Sequence, residues 1–110
     1  MNIKFFASVI VIIFATLSIL FLHGFTVMLS ILLLVISLTK HYFYPIKKEA
    51  LWFGVLFFGG ALAEILLVNF AHAWFYTNPQ FYGIPVYMPI YWGLLGTTLI
   101  VMYDGFVIKK

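Results

Sequence analysis

The chain has 110 residues, of which 65% are hydrophobic and only 8% are charged. Soluble domains are typically about 45–50% apolar and about 25% charged, so the composition excludes a water-soluble globule, and it also excludes disorder, which requires low hydrophobicity. The net charge of +3 comes from lysines near the ends of apolar runs, which excludes a clustered nucleic-acid-binding patch, and the absence of cysteine excludes disulfides and thiolate metal sites.

The first half of the chain predicts two membrane spans. Between Lys4 and Lys40 lie 35 consecutive uncharged residues. One helix of that length would reach roughly 52 Å, whereas the hydrocarbon core of a bilayer is about 30 Å thick. The run must therefore fold back, and His23-Gly24 is the helix-weakening point near its middle. We predict spans at residues 5–22 and 25–42, with their few hydroxyl groups bonded back to their own helices.

The second half predicts two further spans with a long connection between them. Tyr44-Pro45 ends the second span, because the residue before a proline is pushed out of the α region. The third span is expected at residues 50–73. The fourth is expected at residues 89–107, since Pro89 suits a first helical turn. We therefore predict an all-α integral membrane protein, a single domain over residues 1–110, with four transmembrane helices arranged as two antiparallel hairpins.

The lysines predict how these spans cross the membrane. With four spans, the N-terminus, the 40–49 loop and the C-terminus share one side. The positive-inside rule then predicts that both termini are cytoplasmic. We expect the membrane to be the plasma (inner) membrane and its lipid bilayer to be the first partner. All six basic residues fall on that side: Lys4, Lys40, Lys47, Lys48, Lys109 and Lys110.

Glu64 is an acidic residue inside a predicted membrane span. It lies about fourteen residues after the start of the third span, near the bilayer midplane. A charge at that depth costs about 2.5–3.5 kcal/mol on insertion scales, and burial favours the neutral form. We interpret Glu64 as a functional and catalytic residue. The alternative is a protonated carboxyl that bonds a backbone carbonyl or Thr97 and Thr98 between helices.

Small residues near Glu64 predict close helix packing. Gly59 and Ala63 stand four apart, a spacing that lets helices approach closely. We expect the third span to pack against the fourth through such faces, within one chain or between two. The predicted helix-packing residues are Gly59, Gly60, Ala63, Gly93, Gly96 and Thr97.

The segment at residues 74–89 predicts a rigid aromatic cap over Glu64. It contains three prolines and more aromatic side chains than a membrane-interface belt needs. The prediction is a lipophilic pocket between the third and fourth spans, and the alternative is plain anchoring of these aromatic side chains at the membrane interface. A continuous third helix would place His72 about 80° around the axis from Glu64. No H-E-x-x-H spacing occurs, so no metal site is expected. No cofactor is expected either. The predicted ligand-binding residues are Glu64, Asn69, His72, Trp74, Tyr76, Tyr82, Tyr87 and Trp92.

The order of motifs in this region resembles membrane-bound carotenoid-biosynthesis proteins of the lycopene cyclase and carotenoid hydratase kind. The resemblance covers about thirty residues and includes Glu64, Trp74-Phe75-Tyr76, Gly83-Ile84-Pro85, Pro89 and Trp92. It implies that Glu64 donates a proton to a polyene double bond while aromatic faces stabilise the cation. Proteins of that kind are longer and have more spans.

Three functions remain open from the sequence. The first is a pocket for a lipophilic, isoprenoid- or lipid-like molecule around Glu64, with or without enzymatic activity. The second is an accessory subunit that docks a larger membrane protein. The third is a proton-coupled transporter that acts as a homodimer; small multidrug-resistance transporters are similar in size, although their membrane glutamate lies in the first span.

Overall fold

A computed structural model describes residues 3–72, 74, 76 and 79–106. Its described part is helical, with one isolated antiparallel bridge between Phe81 and Ile84 and no strand. The all-α prediction with four helices is therefore confirmed. The helices are α1 (Ile3–Leu22), α2 (Thr26–Phe43), α3 (Glu49–Asn69) and α4 (Tyr87–Phe106).

Three of the four helices have the length and composition of membrane spans. α1, α2 and α3 are each long and apolar enough to cross a bilayer, and α4 is not among them. Large apolar side chains such as Ile10, Leu38 and Phe58 point outward and are more than half exposed. The bundle is 46 Å long, and a bilayer with its headgroups has a similar thickness of about 40–45 Å. These features are those of a membrane protein.

The fourth helix is the centre of the bundle, which explains its lower hydropathy. α4 packs against α1, α2 and α3, and α1 packs against α2. Its buried residues include Gly93, Leu94, Thr97 and Val101. Small and hydroxylated side chains are suited to close helix contacts, whereas they would leave a lipid-facing helix insufficiently apolar. α4 is thus largely shielded by the other helices.

Contacts at the two ends of the bundle fix its connectivity. The rings of Phe5 and Phe106 lie 6.0 Å apart, so the start of α1 and the end of α4 share one end. At the other end, Gln80 Nε2 donates to Thr26 Oγ1 at 3.2 Å and ties the α3–α4 connection to the α1–α2 turn. That turn lies at His23-Gly24, as the sequence predicts.

Helix boundaries agree with the predicted spans except at the end of α3. α3 ends at Asn69 rather than at residue 73. The Phe70 N–H closes the last turn on Leu66 O at 3.0 Å, and His72 has a left-handed φ of +50°. His72 therefore lies outside the helix, and the expected angle of about 80° between His72 and Glu64 was wrong because it assumed a continuous helix.

Several hydroxyl groups of the spans bond to their own helices, as predicted, but Thr16 Oγ1 pairs with Tyr91 Oη of α4 at 2.9 Å. Among the described residues, Ser30 Oγ and Thr98 Oγ1 are buried without a hydrogen-bond partner. Ser8, Ser18 and Ser37 each donate to the carbonyl oxygen four residues earlier, at 2.7–2.9 Å. Thr97 does the same to Gly93 O at 2.8 Å. These locally bonded hydroxyl groups are therefore satisfied and need no ligand.

The contact between α3 and α4 is made by glycines that each receive a large side chain. A Cβ atom on Gly60 would lie 2.4 Å from Trp92 Cγ, and one on Gly96 would lie 2.2 Å from Leu56 Cδ1. Gly93 faces Phe53 in the same way.

Within the chain, Gly59 and Ala63 do not take part in the contact between α3 and α4, contrary to the prediction. Ala63 is exposed, and a Cβ atom on Gly59 would meet nothing within 4 Å. One residue turns an α-helix by about 100°, so the helix that points Gly60 at α4 turns Gly59 away.

Candidate functional site

Glu64 lies in the middle of the α3–α4 contact and is 2% exposed. It shares the buried face of α3 with Ala61 and Val68. Both carboxyl oxygens have partners: Tyr76 Oη donates to Oε1 and Trp92 Nε1 donates to Oε2. The carboxyl group is therefore bonded to two neutral aromatic side chains, one from the α3–α4 connection and one from α4.

The position of the Trp92 ring depends on Gly60. The ring packs on the glycine backbone one turn before Glu64 on α3. An indole N–H can only donate, so Glu64 Oε2 acts as an acceptor. A side chain at residue 60 would occupy the volume of the ring and move the donor away from the carboxyl group.

Tyr76 contributes the second donor from outside the helices. Burial first, and then the hydrogen bond to the Glu64 carboxylate, raise the pKa of the Tyr76 hydroxyl above its ordinary value. The hydroxyl is therefore protonated at neutral pH and remains a donor. Tyr76 also packs beside the apolar cluster of Ala61, Val68 and Ile84.

The connection after Tyr76 is fixed to the end of α3 by Asn69. Its Nδ2 donates to Ile65 O at 2.9 Å and to Tyr82 O at 2.7 Å. Tyr82 and Gly83 form a tight turn with φ values of +49° and +91°. Gly83 packs against Val68 and Asn69, where a Cβ atom would lie 3.0 Å from Val68 Cγ1. A glycine satisfies both the left-handed backbone and the close approach.

The structure brings some of the predicted ligand-binding residues together and leaves others apart. Glu64, Tyr76 and Trp92 form one hydrogen-bonded group. Asn69 acts on the backbone of the connection, and Tyr87 is 4% exposed within the core of α1, α2 and α4. The remaining three have exposed side chains: His72, Trp74 and Tyr82.

A second polar cluster lies at the opposite end of α3, and the sequence analysis missed it. Lys40 Nζ lies 2.7 Å from Glu49 Oε2, and the two side chains are 1% and 8% exposed. His41 Nδ1 lies 2.9 Å from Glu49 Oε1, which also accepts from the Ile46 N–H at 3.0 Å. From the sequence, Lys40 indicates only the topology, and no role is predicted for Glu49. The overlooked signal is a single acid among three lysines at residues 40–49.

Two grooves open on the bundle surface, and neither is lined by Glu64. The first, between α2 and α3, has a volume of about 410 Å³ and includes His41 and Glu49 in its wall. The second, between α1 and α2, has a volume of about 370 Å³ and a mainly apolar wall that also includes Lys40 and Tyr44. Among the described residues, no group of three or more His, Cys, Asp or Glu side chains is placed to hold a metal ion.

The chemistry open to Glu64 follows from these contacts. Glu64 is 2% exposed and its two donors cover the carboxyl group, so a further donor can reach it only if one of these side chains moves aside. Trp92 is held by helix packing, whereas Tyr76 belongs to the connection outside the helices. Tyr76 is therefore the exchangeable partner.

Comparison with family models, with curated proteins and with solved structures finds no match for this chain. The resemblance to carotenoid-biosynthesis proteins stays a prediction.

Proposed function

We propose that this protein spans the plasma membrane with four helices, has both termini in the cytoplasm, and binds a lipophilic molecule beside Glu64. The observation that carries the proposal is the buried Glu64 carboxyl held by two neutral aromatic donors. A lipophilic molecule with a hydroxyl, amine or amide N–H would replace the Tyr76 hydroxyl at Oε1. Trp92 and the apolar cluster around Val68 would line the remainder of the pocket.

The depth of Glu64 supports this proposal. Glu64 lies five residues, about 7 Å, inside the end of α3. A charge costs up to about 2.5–3.5 kcal/mol within a span, and the chain has only three acidic residues. A molecule that reaches this site would come from the bilayer. We leave open whether it is also transformed there, with Glu64 as the proton donor.

Native mass spectrometry of the gently extracted protein tests the proposal. We expect a defined lipophilic adduct on the wild-type chain that is lost in Glu64→Gln. Tyr76→Phe should retain the adduct about tenfold more tightly, because Glu64 Oε1 then has no competing donor. Tyr82→Phe is the matched control, since the Tyr82 side chain is 70% exposed.

The outcome against the proposal is equally defined. Wild type and Glu64→Gln with the same mass profile, or both without an adduct, would mean that Glu64 serves only to fix α3, α4 and Tyr76 together. Circular dichroism of both proteins must first show the same helix content.

An accessory subunit is the second candidate function. The exposed strip of Gly59 and Ala63 favours it, because small residues four apart let a partner helix approach closely. In the same experiment, a second membrane protein or a second copy of this chain would remain bound in place of a small adduct. A proton-coupled transporter that acts as a dimer also needs such an interface, and it stays a prediction.

A further inference from the structure

The groove between α2 and α3 is a second site, independent of Glu64. We propose that it binds one anionic lipid, with an acyl chain along the groove and the headgroup at residues 41–49. The wall combines apolar side chains with a polar end. Its lining residues are Leu34, Ser37, Leu38, His41, Glu49, Ala50 and Phe53.

The packing of the bundle creates this groove. α4 packs against both α2 and α3, whereas α2 and α3 make little contact with each other. A gap therefore runs between them and opens toward the hydrocarbon of the bilayer. Its volume of about 410 Å³ lies within the range of about 300–1,000 Å³ of small-molecule sites.

The charge at the polar end selects an anion. Glu49 is neutralised by Lys40 at 2.7 Å. The exposed Lys47 and Lys48 then leave this end with a positive charge, directly before the first turn of α3. Lys47 and Lys48 do not line the groove but lie beside it in sequence, where a headgroup at the end of the groove would meet them. Basic residues next to a transmembrane helix attract anionic lipid headgroups in this way.

His41 supplies the hydrogen-bonding group inside the groove. Its side chain is 53% exposed, and its Nδ1 donates to Glu49 Oε1 because a carboxylate only accepts. With the proton on Nδ1, Nε2 is an acceptor, to which a hydroxyl group of a glycerol headgroup can donate. Glu49 has two functions in this arrangement: it holds Lys40 in the bundle and it orients His41.

Lipid binding to the full chain in detergent tests the proposal. Native mass spectrometry would compare phosphatidylglycerol with phosphatidylcholine of the same acyl chains. We expect one phosphatidylglycerol per chain, preferred about tenfold over phosphatidylcholine. Replacing Lys47 and Lys48 by Gln and Asn should abolish the preference, and inorganic phosphate should not compete.

Filling the groove should remove the lipid. Ala50→Phe adds a ring to the α3 wall and is expected to weaken phosphatidylglycerol binding about tenfold. Leu38→Trp does the same from α2 and covers a failure of the first variant to fold. Ala63→Phe is the matched control, since Ala63 is also exposed on α3 and lines neither groove.

The proposal is overturned if wild type binds the two lipids equally, or if Ala63→Phe loses as much lipid as Ala50→Phe. Glu64→Gln separates it from the proposed function. That variant should lose the lipophilic adduct and keep phosphatidylglycerol, because residues 49 and 64 are about 22 Å apart along α3.

Discussion

Gly59 and Gly60 are neighbours in α3 with opposite surroundings. The ring of Trp92 covers Gly60, whereas the space around Gly59 is open. A pattern of small residues four apart identifies a helix that can approach another closely, but it does not fix the rotation of that helix. The pattern therefore predicts that α3 and α4 pack together, but it does not distinguish Gly60, which lies in the contact, from Gly59, which does not.

This difference predicts opposite effects of the same substitution. Gly60→Ala should lower the free energy of unfolding by about 1–3 kcal/mol, because the methyl group overlaps Trp92 and displaces its N–H from Glu64. Gly59→Ala should leave stability unchanged or raise it by up to about 1 kcal/mol, since alanine favours the helix. Denaturation in detergent, followed by circular dichroism, measures both. Equal effects would contradict the proposed packing of Trp92.

Residue types alone identify Glu64 as unusual, but they do not show which side chains donate hydrogen bonds to it. The sequence marked Glu64 by its depth and grouped Tyr76 and Trp92 with it as aromatic neighbours. Which of the many aromatic residues donate to the carboxyl group depends on how residue 76 folds back over α3. That path depends on the contacts of Asn69, Gly83 and the buried Ile84. These are tertiary contacts, which no local sequence pattern indicates.

At the scale of elements, the sequence predicts the helix boundaries within two residues except at the end of α3. Pro45 and the His23-Gly24 turn end their helices by local chemistry, so the sequence locates them. No comparable signal follows Asn69. α3 ends there because the Asn69 side chain binds Tyr82 O and the chain turns back over Glu64. Apolar residues beyond this point extend the hydropathy pattern without extending the helix.

The connection between α2 and α3 is held by the Lys40–Glu49 ion pair. Glu49→Gln should leave the Lys40 ammonium buried without its carboxylate, which costs about 3 kcal/mol for a buried pair. Replacing both residues by Met should recover most of that loss, because no uncompensated charge remains. Unfolding of the single and double variants in detergent measures the coupling. A double variant no more stable than Glu49→Gln would contradict a buried, mutually dependent pair.

At the scale of the whole molecule, the arrangement follows from the composition of its most central helix. α4 is the least lipid-compatible of the four and packs against the other three. Its glycines and threonines are the signal that it lies inside the bundle. With α4 between them, α2 and α3 are kept apart, and the groove between them results. The Glu64 site and the groove therefore both depend on the placement of α4.

Whether α4 crosses the bilayer decides the topology, and cysteine labelling measures it. The chain has no cysteine, so each introduced thiol is unique. Gly24→Cys and Tyr82→Cys should react with a membrane-impermeant maleimide in intact cells. Lys47→Cys and Lys109→Cys should react only after permeabilisation, because the proposed topology places all six lysines on the cytoplasmic side. Labelling of Lys109→Cys but not of Lys47→Cys in intact cells would mean that α4 does not span the membrane. That result would also contradict the contact between Phe5 and Phe106, whose rings lie 6.0 Å apart and place the start of α1 and the end of α4 at one end of the bundle.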